Sequence, residues 1–178
     1  MKRIAGIAAL LTVTALTVTA CGEDYPNLSS LAPTKVKFSA TLVGTSEVPP
    51  VTTSSAGRIE LVREDSNNVL YTISTTSATD SITMAHIHAG AAGANGPVMV
   101  WLFPTEASRA PGNGGGTAAR VNGVLRVNRL TRSGTSFIAP FTFDSLLVRI
   151  QAGSAYANVH SRQFPGGVIR GQIAPTAP

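Results

Sequence analysis

The chain has 178 residues, with 14 Lys and Arg against 9 Asp and Glu, a net charge of +5 and only 13% charged residues. Its single cysteine excludes an intrachain disulfide framework. Seventeen glycines, 11 prolines and the lack of long 3.6-residue periodicity beyond the first segment exclude a helical bundle and point to an all-β domain.

Lys2 and Arg3 precede an uncharged apolar stretch over residues 4–20, and Val18-Thr19-Ala20-Cys21 closes it. This is the pattern of a secretory signal, shorter than the ~20 residues that a membrane-spanning helix needs. The four residues ending in Cys21 resemble the bacterial lipobox, in which the cysteine is lipidated and becomes the first residue of the mature protein. A thioether-linked diacylglycerol accounts for one unpaired thiol in an exported chain, and several acyl chains make the anchoring stable. Gly22 in place of Asp resembles signals that do not hold a lipoprotein at the inner membrane. The expected location is therefore the cell envelope, at the outer membrane or periplasmic side in a diderm host. Residues 1–20 are read as the signal, 21–33 as a tether, 34–174 as one domain and 175–178 as a tail.

Within the domain, residues 35–43 alternate Val36, Phe38, Ala40 and Leu42 against Lys and polar residues, as a half-exposed antiparallel strand does. Pro49 and Pro50 donate no ladder hydrogen bond, so 44–56 is expected along an edge or in a loop. Strands over 58–64 and 69–75 flank the turn chemistry of Asp65-Ser66-Asn67-Asn68 and make a hairpin.

The central hairpin spans 81–103. Because strand side chains alternate, Met84, His86 and His88 share one face while Ala85 and Ile87 take the other. The returning strand, 98–103, is apolar on both faces, as is a strand buried on both sides or one whose outer face meets a partner, and on the first reading Trp101 is a core residue. The glycine-rich run 111–116 lacks the Lys-Ser/Thr ending of a phosphate cradle and reads as a surface loop. Further strands are expected over 123–130 and 137–143. A short helix follows, with Asp144 as N-cap and Gly153 just past its end. A last hairpin, 156–160 with 168–173, puts Tyr156, Asn158, His160, Arg170 and Gln172 on one face when His160 stands opposite Val168.

Three blocks, LVGTSEVPPVTTSSAG, AHIHAGAAGANGPVMVWLF and IQAGSAYANVHSRQFPGGVIRGQI, resemble in order and spacing the signatures of the CHRD (chordin) domain, over about residues 35–173. The resemblance implies an immunoglobulin-like or superoxide-dismutase-like Greek-key β-sandwich and no known activity. Antagonism of bone morphogenetic proteins by animal chordins is not carried over, since there the domain accompanies others. The weaker similarity to copper/zinc superoxide dismutase implies a metal site, because that enzyme takes two copper ligands from a His-x-His strand and another from a later strand. His86, His88 and His160 match that arrangement, and they are the only histidines. Three imidazoles cannot supply a copper-zinc pair, which leaves a single copper or zinc ion completed by water or by Met84 as a soft ligand. Asn158 and Arg170 are the expected neighbours. The alternative is that the histidines hydrogen-bond within the sandwich and bind nothing.

Residues 107–178 carry eight arginines against Asp144 alone, a field that suits a protein partner or an anionic polysaccharide as well as ordinary solvated strand edges. Scattered arginines and an export signal argue against nucleic acid. The domain has no Gly-x-Ser-x-Gly elbow, no cysteine nucleophile and no obvious carboxylate pair, so enzymatic activity is not indicated. Two readings follow: a tethered binding or structural module of the cell envelope, or a mononuclear metal protein with redox chemistry.

Overall fold

The computed structural model describes residues 35–103 and 119–176. The signal, Cys21, the tether and the 111–116 loop lie outside these residues. Strand β1, Lys37–Val43, buries Phe38, Ala40 and Leu42 on one face, as its alternation requires, while Val36 stays exposed just before it. It pairs antiparallel with β2, Ala56–Arg63, which turns through Asp65 into β3. The Asp65 carboxylate accepts from the Asn67 N–H at 2.7 Å and from the Asn68 amide, so the side chain closes the turn that the sequence predicted. Between β1 and β2 the chain makes a 3-10 turn at Gly44–Ser46 and then runs irregularly past the two prolines.

Strand β3, Asn68–Ala89, is 22 residues long and joins two segments that the sequence presented as separate strands. Its first half pairs with β2 and with β5, Ala119–Thr131; its second half pairs with β4, Val98–Phe103, and with β6, Ala155–Ser161. Register shifts between Thr75 and Ile82, and a φ of +36° at Ser81, mark the place where β3 changes partners. A residue there breaks the pleat and lets one strand turn a corner. Strand β7, Ile169–Gln172, links β6 to β1, and β8, Ala174–Pro175, adds a short pairing to Phe38 and Ser39. Pro175, assigned to the tail from sequence, is thus part of the sheet.

The order β2-β1-β7-β6-β3-β4, with β2 also pairing β3, makes one nearly closed sheet. The expected all-β class with a single short helix is what the structure shows among the described residues, and the sheet is continuous because β3 serves both of its sides. Leu42, Ile59, Leu61, Ile73, Ile87, Leu102 and Ile173 are wholly buried inside it. Each such side chain stabilises the fold by about 1.5–3 kcal/mol relative to exposure.

Two expectations between β5 and β6 are corrected. Residues 137–143 do not form a strand: apart from a single bridge from Phe137 to Val100, they make turns into the helix, and Pro140 lacks the donor that a ladder needs. The helix α1, Phe143–Gln151, is capped by Thr142 and not by Asp144. The Thr142 hydroxyl accepts from the Ser145 N–H while the Ser145 hydroxyl accepts from the Thr142 N–H, a reciprocal cap. Asp144 sits in the first turn, where its charge suits the helix dipole and pairs with Arg132. Phe143, Leu146, Leu147 and Ile150 form the buried stripe. Gly153, at φ +64°, ends the helix in a Schellman motif, with bonds from Gly153 N–H to the Ile150 carbonyl and from Ser154 N–H to that of Arg149.

Candidate metal centre

The register of the central strands builds the site. Met84 pairs with His160, His86 with Asn158 and His88 with Tyr156 across β3 and β6, and Arg170 and Gln172 continue the same face on β7. His86 also pairs with Trp101 of β4, beside bulges that shift the register on either side of His86 and Ile87. All members of the face named from the sequence therefore stand together. The face is not open to solvent: His86 is 4% exposed, His88 9%, His160 7%, Asn158 4% and Arg170 2%. Such groups need partners in place of water.

Those partners come mainly from backbone that loops over the face. His88 Nδ1–H donates to the Gly96 carbonyl at 2.9 Å, and His160 Nδ1–H donates to the Pro165 carbonyl at 2.9 Å. Each bond sets the tautomer and makes Nε2 the unprotonated nitrogen, the one that carries a lone pair for a ligand. Burial lowers the pKa of both rings by desolvation, which keeps them in the neutral, ligating form. His160 Nε2 lies 3.1 Å from His86 Nδ1 and 3.2 Å from the Asn158 side-chain oxygen. His88 Nε2 is buried with no partner in hydrogen-bonding distance among the described residues, although the Asn158 side chain is near enough to favour its protonation.

The three imidazoles bring one ligand atom each to within 4.8 Å of one another. Nitrogens around one ion at ~2.0–2.1 Å stand about 3.3–3.6 Å apart, so the widest pair would have to close by about an ångström to share one ion. His86 and His160 meet edge to face with ring centres 4.9 Å apart, and those of His86 and His88 are 5.6 Å apart. The Trp101 ring stands edge to face on His86 at 4.1 Å. Trp101 is half-buried, so of the two readings of its strand burial on both sides does not hold at this residue: its side of β4 covers the histidine face while Met99, Val100 and Leu102 fill the interior.

A second layer holds His88. Its ring stacks on Tyr156 at 4.8 Å and 7°, and the Arg170 guanidinium carbon lies 3.3 Å from the centre of that phenol ring. Arg170 also donates to the Asn95 side chain at 3.0 Å and to the Ala94 carbonyl at 2.5 Å, tying the 90–97 loop down. The Gly96 N–H donates to the Tyr156 hydroxyl, so this one residue is held through both its N–H and its carbonyl. A Cβ on Gly96 would lie 1.6 Å from the Ala89 carbonyl oxygen, which excludes any other residue in this loop conformation.

Three participants had no clear signal in the sequence. The Gly96 and Pro165 carbonyls are backbone groups, invisible to any reading of side-chain type. Glu47, 5% exposed, comes from the proline-rich segment before β2, and burial raises its pKa to about 7 although the charge of Arg170 opposes the shift. Its carboxylate packs against Gly167, where a Cβ would come within 2.6 Å of Oε1.

A family model described as the CHRD domain matches residues 38–173. No curated protein and no solved structure matches the chain.

Proposed function

Because the chain belongs to the CHRD domain family, we propose that it is a lipid-anchored binding module of the cell envelope whose three-histidine face holds a single copper or zinc ion. The observation that carries the metal reading is the orientation of His88 and His160. Each donates Nδ1–H to a backbone carbonyl and so carries its lone pair on Nε2, that of His88 without a hydrogen-bond partner among the described residues and that of His160 beside His86 Nδ1, with ligand atoms of all three rings within 4.8 Å. Imidazoles that ligate a metal usually donate their other N–H to such an outer-shell carbonyl. His86 supplies Nδ1, which in the metal-free site donates to His160 Nε2; on binding the His86 proton moves to its Nε2, and the ion takes the place of that hydrogen bond. The anchor rests on the signal and Cys21, and the membrane is the first partner.

The test is elemental analysis of the full mature chain, kept soluble by Cys21→Ser, after incubation with copper or zinc and removal of loose metal. One equivalent per chain is expected. His86→Ala and His160→Ala should each lose it while keeping the β-sheet circular dichroism. A folded wild-type chain that retains no metal would refute the reading.

A further inference from the structure

The donor set of the histidine site is neutral. Among the described residues no Asp or Glu joins His86, His88 and His160 within ligand distance. The nearest buried cation acts against a bound ion as well, since Arg170 stacks on Tyr156 and Tyr156 stacks on His88. An ion in this buried place therefore gives up water without meeting a negative ligand. The cost of that transfer grows with the square of the charge, so a divalent ion is penalised about four times as heavily as a monovalent one.

The register adds a second, independent observation. Met84 is the cross-strand partner of His160 and stands on the histidine face of β3. Directly opposed residues in an antiparallel pair have Cβ atoms about 4.5–5.5 Å apart, within reach of an unbranched thioether with three rotatable bonds. A thioether is a soft donor that selects monovalent copper and offers little to zinc. Zinc in a three-histidine site also takes a fourth, oxygen ligand, usually water, and these three rings are each more than nine-tenths buried.

Resting on the metal reading above, we propose that the site selects copper in its monovalent state over zinc, with three imidazole nitrogens and the Met84 thioether as donors. Anaerobic competition of the full mature chain against a chromophoric Cu(I) chelator, and a parallel titration of zinc against its own indicator, measure the preference. The expected result is one Cu(I) per chain, bound at least about 100-fold more tightly than zinc. Met84→Leu, a swap close in volume at a half-buried position, should weaken Cu(I) about tenfold and leave zinc within about twofold, since only the soft donor is lost. The chain has one tryptophan, and its ring against His86 should report copper arrival as a loss of emission that His86→Ala abolishes. Zinc bound more tightly than Cu(I), with the same histidine dependence, would overturn the copper assignment and leave the metal site standing. A Met84→Leu chain with unchanged Cu(I) affinity would overturn the role of the thioether. Binding of neither ion would remove the metal reading itself.

Discussion

Glu47→Gln should make the protein more stable above neutral pH and change little near pH 4. The carboxylate is 5% exposed, and its Oε1 has no hydrogen-bond partner among the described residues. Desolvation raises its pKa from 4.5 to about 7, while Arg170 works in the opposite direction. A carboxyl whose pKa is higher in the folded state binds protons more tightly there, so its stabilisation is complete below pH 4.5 and is lost as pH rises to about 7. A shift of this size, at about 1.36 kcal/mol per pH unit, is worth about 3 kcal/mol, most of it lost between pH 5 and pH 8. His88 and His160 slope the other way, because their lowered pKa values mean that stability falls as pH drops below 6.5. That contribution is common to both proteins and cancels in their difference. Urea denaturation of wild type and variant at several pH values is the assay. With a slope of about 1–3 kcal/mol per molar urea, the variant's midpoint should exceed that of wild type by roughly 1–3 M at pH 8, and the gap should close toward pH 4. A gap independent of pH, or a variant less stable at pH 8, would show that Glu47 does not carry its proton in the folded state.

Three further outcomes test other parts of the structure. Gly96→Ala forces a Cβ into the Ala89 carbonyl and should displace the peptide that orients His88, weakening metal binding about 10- to 100-fold by equilibrium competition, as loss of an outer-shell partner does; unchanged affinity would show that His88 is oriented otherwise. Trp101→Ala should cost about 1–2 kcal/mol by urea denaturation, below the 3–5 kcal/mol of a fully buried ring, because Trp101 is half-buried; a loss in the upper range would return it to the core. Cys21→Ser removes the acyl acceptor and should move the protein from the membrane to the soluble fraction on cell fractionation; retention in the membrane would exclude the lipid anchor.

Much of the site was legible because strand alternation is a property of the backbone alone. The spacing His86-x-His88 puts both rings on one side whatever surrounds them, and the turn residues before Gly57, after Glu64 and around Gly166 punctuate the strands locally. Setting His160 opposite Val168 fixes the rest of that hairpin, and the observed pairings of Asn158 with Arg170 and Val159 with Ile169 have the register it requires. The apolar stripe of α1 and the glycine past its end were readable for the same reason. Its N-cap was not, because Thr142 and Asp144 both fit the pattern and only the reciprocal bond with Ser145 decides between them.

Tertiary structure decided which strands became neighbours. The pairing of β6 with β3 joins His160 to His86 across 74 residues of chain, and no local pattern encodes a contact of that range. The 22-residue span of β3 depends on a corner at Ser81, where its partners change from β2 and β5 to β4 and β6. The two apolar faces of β4 could not say which side met the core and which met the histidines, so Trp101 was placed only when its partner His86 was. Sequence determined that this face would carry imidazoles. The loops that bury it, and the Gly96 and Pro165 carbonyls that turn two Nε2 atoms inward, come from backbone folded over from elsewhere, and only the closed sheet brings that backbone within hydrogen-bonding distance.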